Sequence, residues 1–365
     1  MRRSRGRVVQ VESLEEFDHR VARGATRLSG WRVTHVDLTG RGTVLGRLRV
    51  AGATFLGCEF ASGVAEELQR AGALVLPSLT VAPVDVYRTR LYTAHELYDA
   101  TPYAQSLDGR AYAWSQTPGN ADDALARSLH DHAIDEALTT WVLRKHLVGV
   151  MGGHAAARGD REYAEAARLG HALGAHHVVA TGGGPGAMEA ANLGCYLADS
   201  HLSRVTDAVA ALAEAPTYRP SVDDWLRPAL EVCAAVTEPH DSLGIPTWHY
   251  GHEPSNVFAT GIAKYFRNST REAILLELCD AGIVFLPGAG GTVQEVFQDA
   301  CENYYADESS IAAMVLVGRR YWTETLPAWP LLRELARGRP MEQRVHLVDD
   351  VGEAAALLAQ AASSR

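Results

Sequence analysis

The rhythm of apolar and polar positions changes partway along the chain. Up to about residue 98, short apolar stretches alternate with polar ones and are set apart by glycines, at 31–38 (WRVTHVDL), 43–60 and 73–81. A period of two bounded by glycine predicts short strands rather than helices. Residues 53–60 (ATFLGCEF) resemble one turn of a pentapeptide-repeat coil, but barely more than one copy is present, so short strands without a repeat are expected. The stretch 99–122 is rich in Pro, Gly, Ser and Asp and reads as a linker or an ordered loop.

From about residue 123 the pattern becomes short apolar runs separated by helical stripes. Segments 147–151, 178–180, 282–286, 313–317 and 345–348 are mostly β-branched and bounded by Gly or charge, as buried parallel strands should be. Helical stripes lie between them, for example at 161–173 and 292–305. The expectation is an α/β fold, a doubly wound parallel (Rossmann-like) sheet with helices on both faces, plus a smaller N-terminal accessory segment. The division expected is 1–118 for the accessory region and 119–365 for the Rossmann-like domain. Residues 201–240 would add two helices, broken at 216–220, as an insertion beside the sheet.

Composition narrows the classes. With 365 residues, 47% hydrophobic and 21% charged, the chain can bury a large core. No apolar run approaches the roughly 18 residues that span a bilayer, so no membrane partner is expected. The basic start (MRRSRGRVVQVESLEEF) leads directly into charged residues, which argues against a secretory signal. Five scattered cysteines without a CxxC read as reduced thiols, so a cytoplasmic protein is expected. A net charge of −10 argues against a nonspecific nucleic-acid binder. A small molecule is the expected partner.

Two strands end in glycine turns, Met151-Gly152-Gly153-His154 and Thr181-Gly182-Gly183-Gly184-Pro185-Gly186, the second followed by Ala187-Met188-Glu189. Glycines there let backbone N–H groups approach a phosphate where the next helix begins, and the helix dipole favours the anion. The plain alternative is that they only make tight turns. Neither is the GxGxxG dinucleotide fingerprint, and no GxxxxGK[ST] phosphate loop occurs.

A third turn is the most specific: Pro287-Gly288-Ala289-Gly290-Gly291-Thr292-Val293-Gln294-Glu295. Thr292 is a good N-cap, and Thr292-x-x-Glu295 has capping-box spacing, so Glu295 could serve only the cap. Against that, a carboxylate on the rim of a phosphate turn faces whatever ligand binds there.

With these residues in place, the chain resembles the LONELY GUY (LOG) family of nucleotide-binding proteins, often mislabelled lysine decarboxylases. The family's PGGxGTxxE matches 287–295, with Ala289 at the second glycine, and its GGGxxGxMxA turn falls on 182–190, which is one residue shorter here. Its strand-GS turn falls on Gly152 and Gly153, with His154 in place of Ser. Its MxxRK arginine falls on Arg271, with Glu272 in place of the lysine. The resemblance covers roughly 145–320.

It implies a nucleotide-binding catalytic domain that hydrolyses the N-glycosidic bond of a nucleoside 5′-monophosphate to free base and ribose 5-phosphate, without cofactor or metal, in a homodimer or higher homo-oligomer. Glu295 and Arg271 would be catalytic. Gly152, Gly153, His154, Gly182, Gly183, Gly184, Met188, Pro287, Gly288, Gly290, Gly291 and Thr292 would bind the nucleotide and its phosphate. The rival reading is a nucleotide-binding regulator without turnover, which would not need Glu295 and Arg271 together.

Other candidates are weaker. His249, His252 and Glu253 lack HExxH spacing and are read as part of a loop lining a base pocket. His130-Asp131-His132 is expected at an exposed helix start, Ser269-x-x-Glu272 as a second capping box, and Lys264 in a helical run. With Lys145 and Lys264 the only lysines and neither in a recognisable pyridoxal setting, the decarboxylase label is rejected.

Overall fold

The structure, a computed structural model, describes residues 8–79, 81–249 and 253–363. The chain divides into two compact units, Met1–Tyr87 with Asn120–Leu129, and Arg88–Gly119 with His130–Arg365. Residues 88–119 thus group with the larger unit instead of forming the tail of an accessory region.

In the smaller unit, strands β1 (Val9–Val11), β2 (Trp31–Thr34), β3 (Thr54–Leu56) and β4 (Leu74–Leu76) alternate with helices α1 (Leu14–Ala22), α2 (Gly42–Leu45) and α3 (Val64–Arg70). All strand pairs are parallel, in the order β1-β2-β3-β4. Partners Val9 and Trp31, Arg32 and Thr54, and Thr54 and Leu74 stand 22, 22 and 20 positions apart. The unit is therefore a coil of one strand per turn, with Phe17, Leu28, Trp31, Val33, Phe55 and Val75 stacked inside it. Helical segments between the strands rule out a pentapeptide coil. The repeat was hidden because each strand is only three or four residues long.

The larger unit begins with α4 (Ala94–Leu97) and α5 (Leu107–Gln116), and it includes α6 (Ala121–Trp141) from His130 onward. Next come β5 (Leu147–Met151), α7 (Arg161–Gly174), β6 (Val178–Thr181), α8 (Ala187–Tyr196), α9 (Leu202–Leu212), α10 (Val222–Ala234), β7 (Ser242–Gly244) and β8 (Gly261–Ile262). The chain ends with α11 (Asn268–Glu277), β9 (Gly282–Phe285), α12 (Gly290–Tyr305), β10 (Met314–Val317), α13 (Ala328–Ala336), β11 (Val345–Val348) and α14 (Val351–Ser363). The sheet order is β11-β10-β9-β5-β6-β7-β8 and every pair is parallel. With helices on both faces, this is the expected Rossmann-like α/β arrangement. Strands β5, β6, β9 and β10 are buried at every residue, which is why their sequences read as unbroken apolar runs. The short strands β7 and β8 carry Ser and Gly and gave no such signal.

The sheet grows from β5 first through β6, β7 and β8, then turns back to β9, β10 and β11 on the other side. A crevice therefore opens above the carboxyl ends of β5 and β9, where the strand order reverses.

Three expectations fail through buried polar pairing. The linker of 99–122 contains α5, whose Asp108 is wholly buried and accepts from Lys264 Nζ at 2.6 Å, Trp248 Nε1 at 2.9 Å and Tyr103 Oη at 2.8 Å. Lys264 lies between β8 and α11 rather than in a helix, and also donates to Ser255 Oγ at 2.9 Å. His130 and Asp131 sit inside α6, not at an exposed start. The His130 ring lies 2.8 Å from Tyr92 Oη, and Asp131 accepts from the backbone N–H groups of Phe266 and Arg267 at 2.9 Å.

Removing one partner of a buried ion pair strands the other. Asp108→Ala is expected to destabilise the protein by about 3–5 kcal/mol, because the Lys264 ammonium loses its counter-charge in the core. The paired change Asp108→Leu with Lys264→Met should cost clearly less. Urea unfolding of the two variants decides the comparison.

Candidate functional site

Three glycine turns meet in the crevice. Gly153 N–H donates to Pro287 O at 3.2 Å, and Ala187 N–H donates to Gly153 O at 3.2 Å, so the turns after β5, β6 and β9 are fastened to one another through the backbone. Gly186 makes this approach possible. Its φ is +74°, and a Cβ there would stand 2.7 Å from the carbonyl carbon and oxygen of His154. The turn after β6 is held from beneath by a buried polar chain. Asn256 donates its backbone N–H to Gly183 O at 2.9 Å and its Nδ2 to Gly184 O at 3.2 Å and Asn192 Oδ1 at 3.0 Å.

Between the turns lies a cavity of about 540 Å³. Of the residues expected to bind, Gly152, Gly153, His154, Gly182, Gly184, Met188, Gly290, Gly291 and Thr292 line it, together with Arg271 and Glu295. Gly183, Pro287 and Gly288 do not. They frame it: Gly183 takes φ +71°, Pro287 O accepts from Gly153, and Gly288 O accepts from Tyr321 Oη at 2.8 Å.

Thr292 is not an N-cap. Helix α12 begins two residues earlier at Gly290, with Ala289 at its cap and no side-chain cap bond. Glycine at the first two helical positions lets the chain turn into the helix before Thr292 is reached. The capping-box role proposed for Glu295 is thereby excluded, since Glu295 falls in the second turn. The first N–H groups of α12, at 290–292, have no partner within the helix and open on the cavity. Ser269 likewise caps nothing. Helix α11 starts at Asn268, again without a side-chain cap bond. Glu272 is instead buried and accepts from Asn268 Nδ2 at 2.6 Å and Gln294 Nε2 at 2.7 Å.

Arg271 is not a surface residue. Its side chain is 11% exposed, and its Nη1 lies 3.9 Å from Glu295 Oε1, whose side chain is 14% exposed. Nη2 donates to Asn268 Oδ1 at 3.1 Å and lies 3.8 Å from Glu272 Oε1. Gly182 clears the space for the guanidinium, because a Cβ on it would stand 3.2 Å from Arg271 Nη1. Burial pushes the Glu295 carboxyl up to about 7, Arg271 opposes the rise, and the Glu272 charge adds to it. Such a group is present in both protonation states near neutrality, as proton transfer requires.

Glu272 and Gln294 also line the cavity and were not anticipated there. Pro246, Thr247 and Glu253, from the loop of 246–256 expected to line a pocket, line it too, the first two just beyond the carboxyl end of β7. Nothing in the sequence pattern separated Glu272 from a cap. Of the 246–256 segment, Trp248 is stacked 4.6 Å from Phe266 in the interior, His249 is exposed, and His252 lies outside the described residues. Among the described residues no group of three or more His, Cys, Asp or Glu could hold a metal, and no helix is long and apolar enough to cross a membrane.

Fold and site together define an α/β protein with a polar cavity at its topological switch point. No protein-family model matches the chain, and no curated protein matches it. Among solved structures it is similar to the Moco carrier protein of Chlamydomonas reinhardtii, at 18% identity and TM-score 0.37, over 61% of this chain and 100% of that one. It is also similar to the molybdenum cofactor binding protein of the phototrophic bacterium Rippkaea orientalis, at 19% identity and TM-score 0.38, over 60% of this chain and 98% of that one. The chemistry of the cavity has to come from its own residues.

The raised carboxyl carries a stability consequence. A group that holds its proton more tightly when folded favours the fold while protonated. That advantage is lost as pH rises from the ordinary carboxyl value of 4.5 through about 7. Glu295→Gln removes this loss. The variant is expected to match wild type near pH 4 and to exceed it above pH 7 by on the order of 3 kcal/mol. Thermal melts across that range check the divergence, and parallel curves would contradict it.

Proposed function

We infer that the chain binds a nucleoside 5′-monophosphate in this cavity and hydrolyses its N-glycosidic bond, releasing the base and ribose 5-phosphate. The reading rests on one observation: Glu295, buried beside Arg271 and titrating near neutrality, stands on the helix whose free N–H groups open the cavity. Five residues at 1.5 Å rise separate Gly290 from Glu295 by about 7.5 Å along the axis, and the side chain leans back toward the helix start. A phosphate on the amides of 290–292 and the Thr292 hydroxyl would leave the sugar beside the carboxylate.

In the reaction, a water oxygen bonds to the anomeric carbon as the carbon–nitrogen bond breaks, and that electron pair leaves on the base. The sugar ring gains positive charge between these events. Ionised Glu295 opposes that charge and takes the water proton; the same proton can then pass to the departing nitrogen. Arg271 holds the carboxylate in place and supplies a cation for substrate oxygens.

A second reading, a nucleotide-binding protein without turnover, is favoured by the charge around Arg271. Glu272 stands where the resembling family has lysine, and Glu253 lines the same cavity, so three carboxylates share its lining with one guanidinium.

Two variants divide the readings. A Cβ on Gly291 would meet nothing within 4 Å, so Gly291→Val should fold and obstruct the phosphate turn. Calorimetry is expected to show loss of monophosphate binding, and undiminished binding would remove the phosphate site. Wild-type protein incubated with a panel of nucleoside monophosphates should release free base by chromatography, and Glu295→Gln should do so at least about 100-fold more slowly while still binding. Tight binding without release by the wild type would establish the second reading instead.

A further inference from the structure

A second cavity of about 370 Å³ adjoins the first. His154 and Glu253 line both, with His154 Nδ1 and Glu253 Oε1 3.9 Å apart. The chambers differ in chemistry. Around the first, Met188 and Pro246 are the larger apolar side chains beside a charged and polar set, and among the described residues none of the lining is Phe, Tyr or Trp. The second is walled by Tyr218, Trp225, Pro185 and Pro216. The Arg219 guanidinium lies 5.5 Å from the Tyr218 ring centre, and the Tyr218 ring meets Trp225 edge-on at 6.4 Å.

The floor of this chamber is rigid. Arg158 and Glu189 form a fully buried, two-point ion pair, and Arg158 Nη1 also donates to Trp225 O at 2.7 Å. Its guanidinium lies 4.4 Å from the Trp225 ring centre. Much of the wall thus comes from the segment between α9 and α10 and from α10 itself, within the 201–240 stretch.

We propose that this second chamber is the binding site for the aromatic heterocycle of the ligand, stacked against Tyr218 beside Arg219. The sugar phosphate would occupy the first chamber, and the glycosidic bond would cross between them at His154 and Glu253. This rests on the reading of the first cavity as a ribose-phosphate site. Among the described residues the first chamber offers a flat ring no aromatic face, whereas an aromatic face with a neighbouring guanidinium suits any base. The 201–240 insertion then acts as the selectivity element of the site, distinct from the glycine turns that anchor the phosphate.

The test compares two ligands on three full-length proteins by calorimetry. Ribose 5-phosphate fills only the first chamber; AMP fills both. For the wild type, AMP is expected to bind more tightly. Tyr218→Ala should weaken AMP about 10-fold or more while leaving ribose 5-phosphate unchanged, and Tyr218→Phe, which keeps the ring, should bind both as wild type does. AMP binding by folded Tyr218→Ala at wild-type strength overturns the proposal, as does equal weakening of both ligands. So does wild-type protein that binds AMP no more tightly than ribose 5-phosphate. Failure of the wild type to bind ribose 5-phosphate at all sinks the reading of the first cavity instead, and the proposal with it.

Discussion

Everything at the cavity depends on three chain turns coming closer together than side chains would allow. Two backbone hydrogen bonds, Gly153 to Pro287 and Ala187 to Gly153, join the ends of β5, β6 and β9 into one rim. Those bonds form only because Gly186 has no Cβ to strike the His154 carbonyl. Once the rim is closed, the start of α12 faces the crevice and Arg271 can cross it over Gly182. The parallel sheet supplies the platform, but the rim decides where the charges stand.

The electrostatics of the rim follow from that crowding. Glu295 is held beside Arg271 at 3.9 Å, near enough to be steadied but too far for a close hydrogen-bonded ion pair. Burial therefore wins over the favourable charge, and the carboxyl titrates about where a proton donor and acceptor at neutral pH should. Glu272 is treated differently. Two side-chain amides, from Asn268 and Gln294, satisfy it, which fits a fixed structural charge more than a reacting one.

Much of this was legible in the sequence, and the failures share a cause. The short apolar runs of β5, β6, β9 and β10 announced buried strands because every residue in the middle of a parallel sheet is enclosed, and the glycine turns announced the cavity because their spacing is dictated by backbone geometry. Polar residues misled wherever they were buried in pairs. Asp108, His130 and Asp131 look like surface chemistry one at a time, and the partners that bury them, Lys264, Tyr92 and the backbone at 266–267, lie far along the chain. Caps were over-read for a related reason: Thr292 and Ser269 have good capping side chains, yet each helix starts before them. The coil of the smaller unit escaped notice because a strand of three residues leaves almost no periodic trace.

The buried pair of Asp108 and Lys264 also bears on how the chain assembles. The two residues are 156 positions apart. A chain emerging from its N-terminus completes α5, and could dock it, well before the lysine that neutralises its carboxylate exists. Until β8 is laid down and Lys264 arrives, that carboxylate keeps its water and α5 has no electrostatic reason to stay buried. The contact is long-range and closes late, so it belongs with the slow, topology-limited steps of folding rather than with early local structure. A nascent chain stopped short of residue 264 would therefore present α5 and the apolar faces beneath it to whatever chaperone or neighbour is at hand.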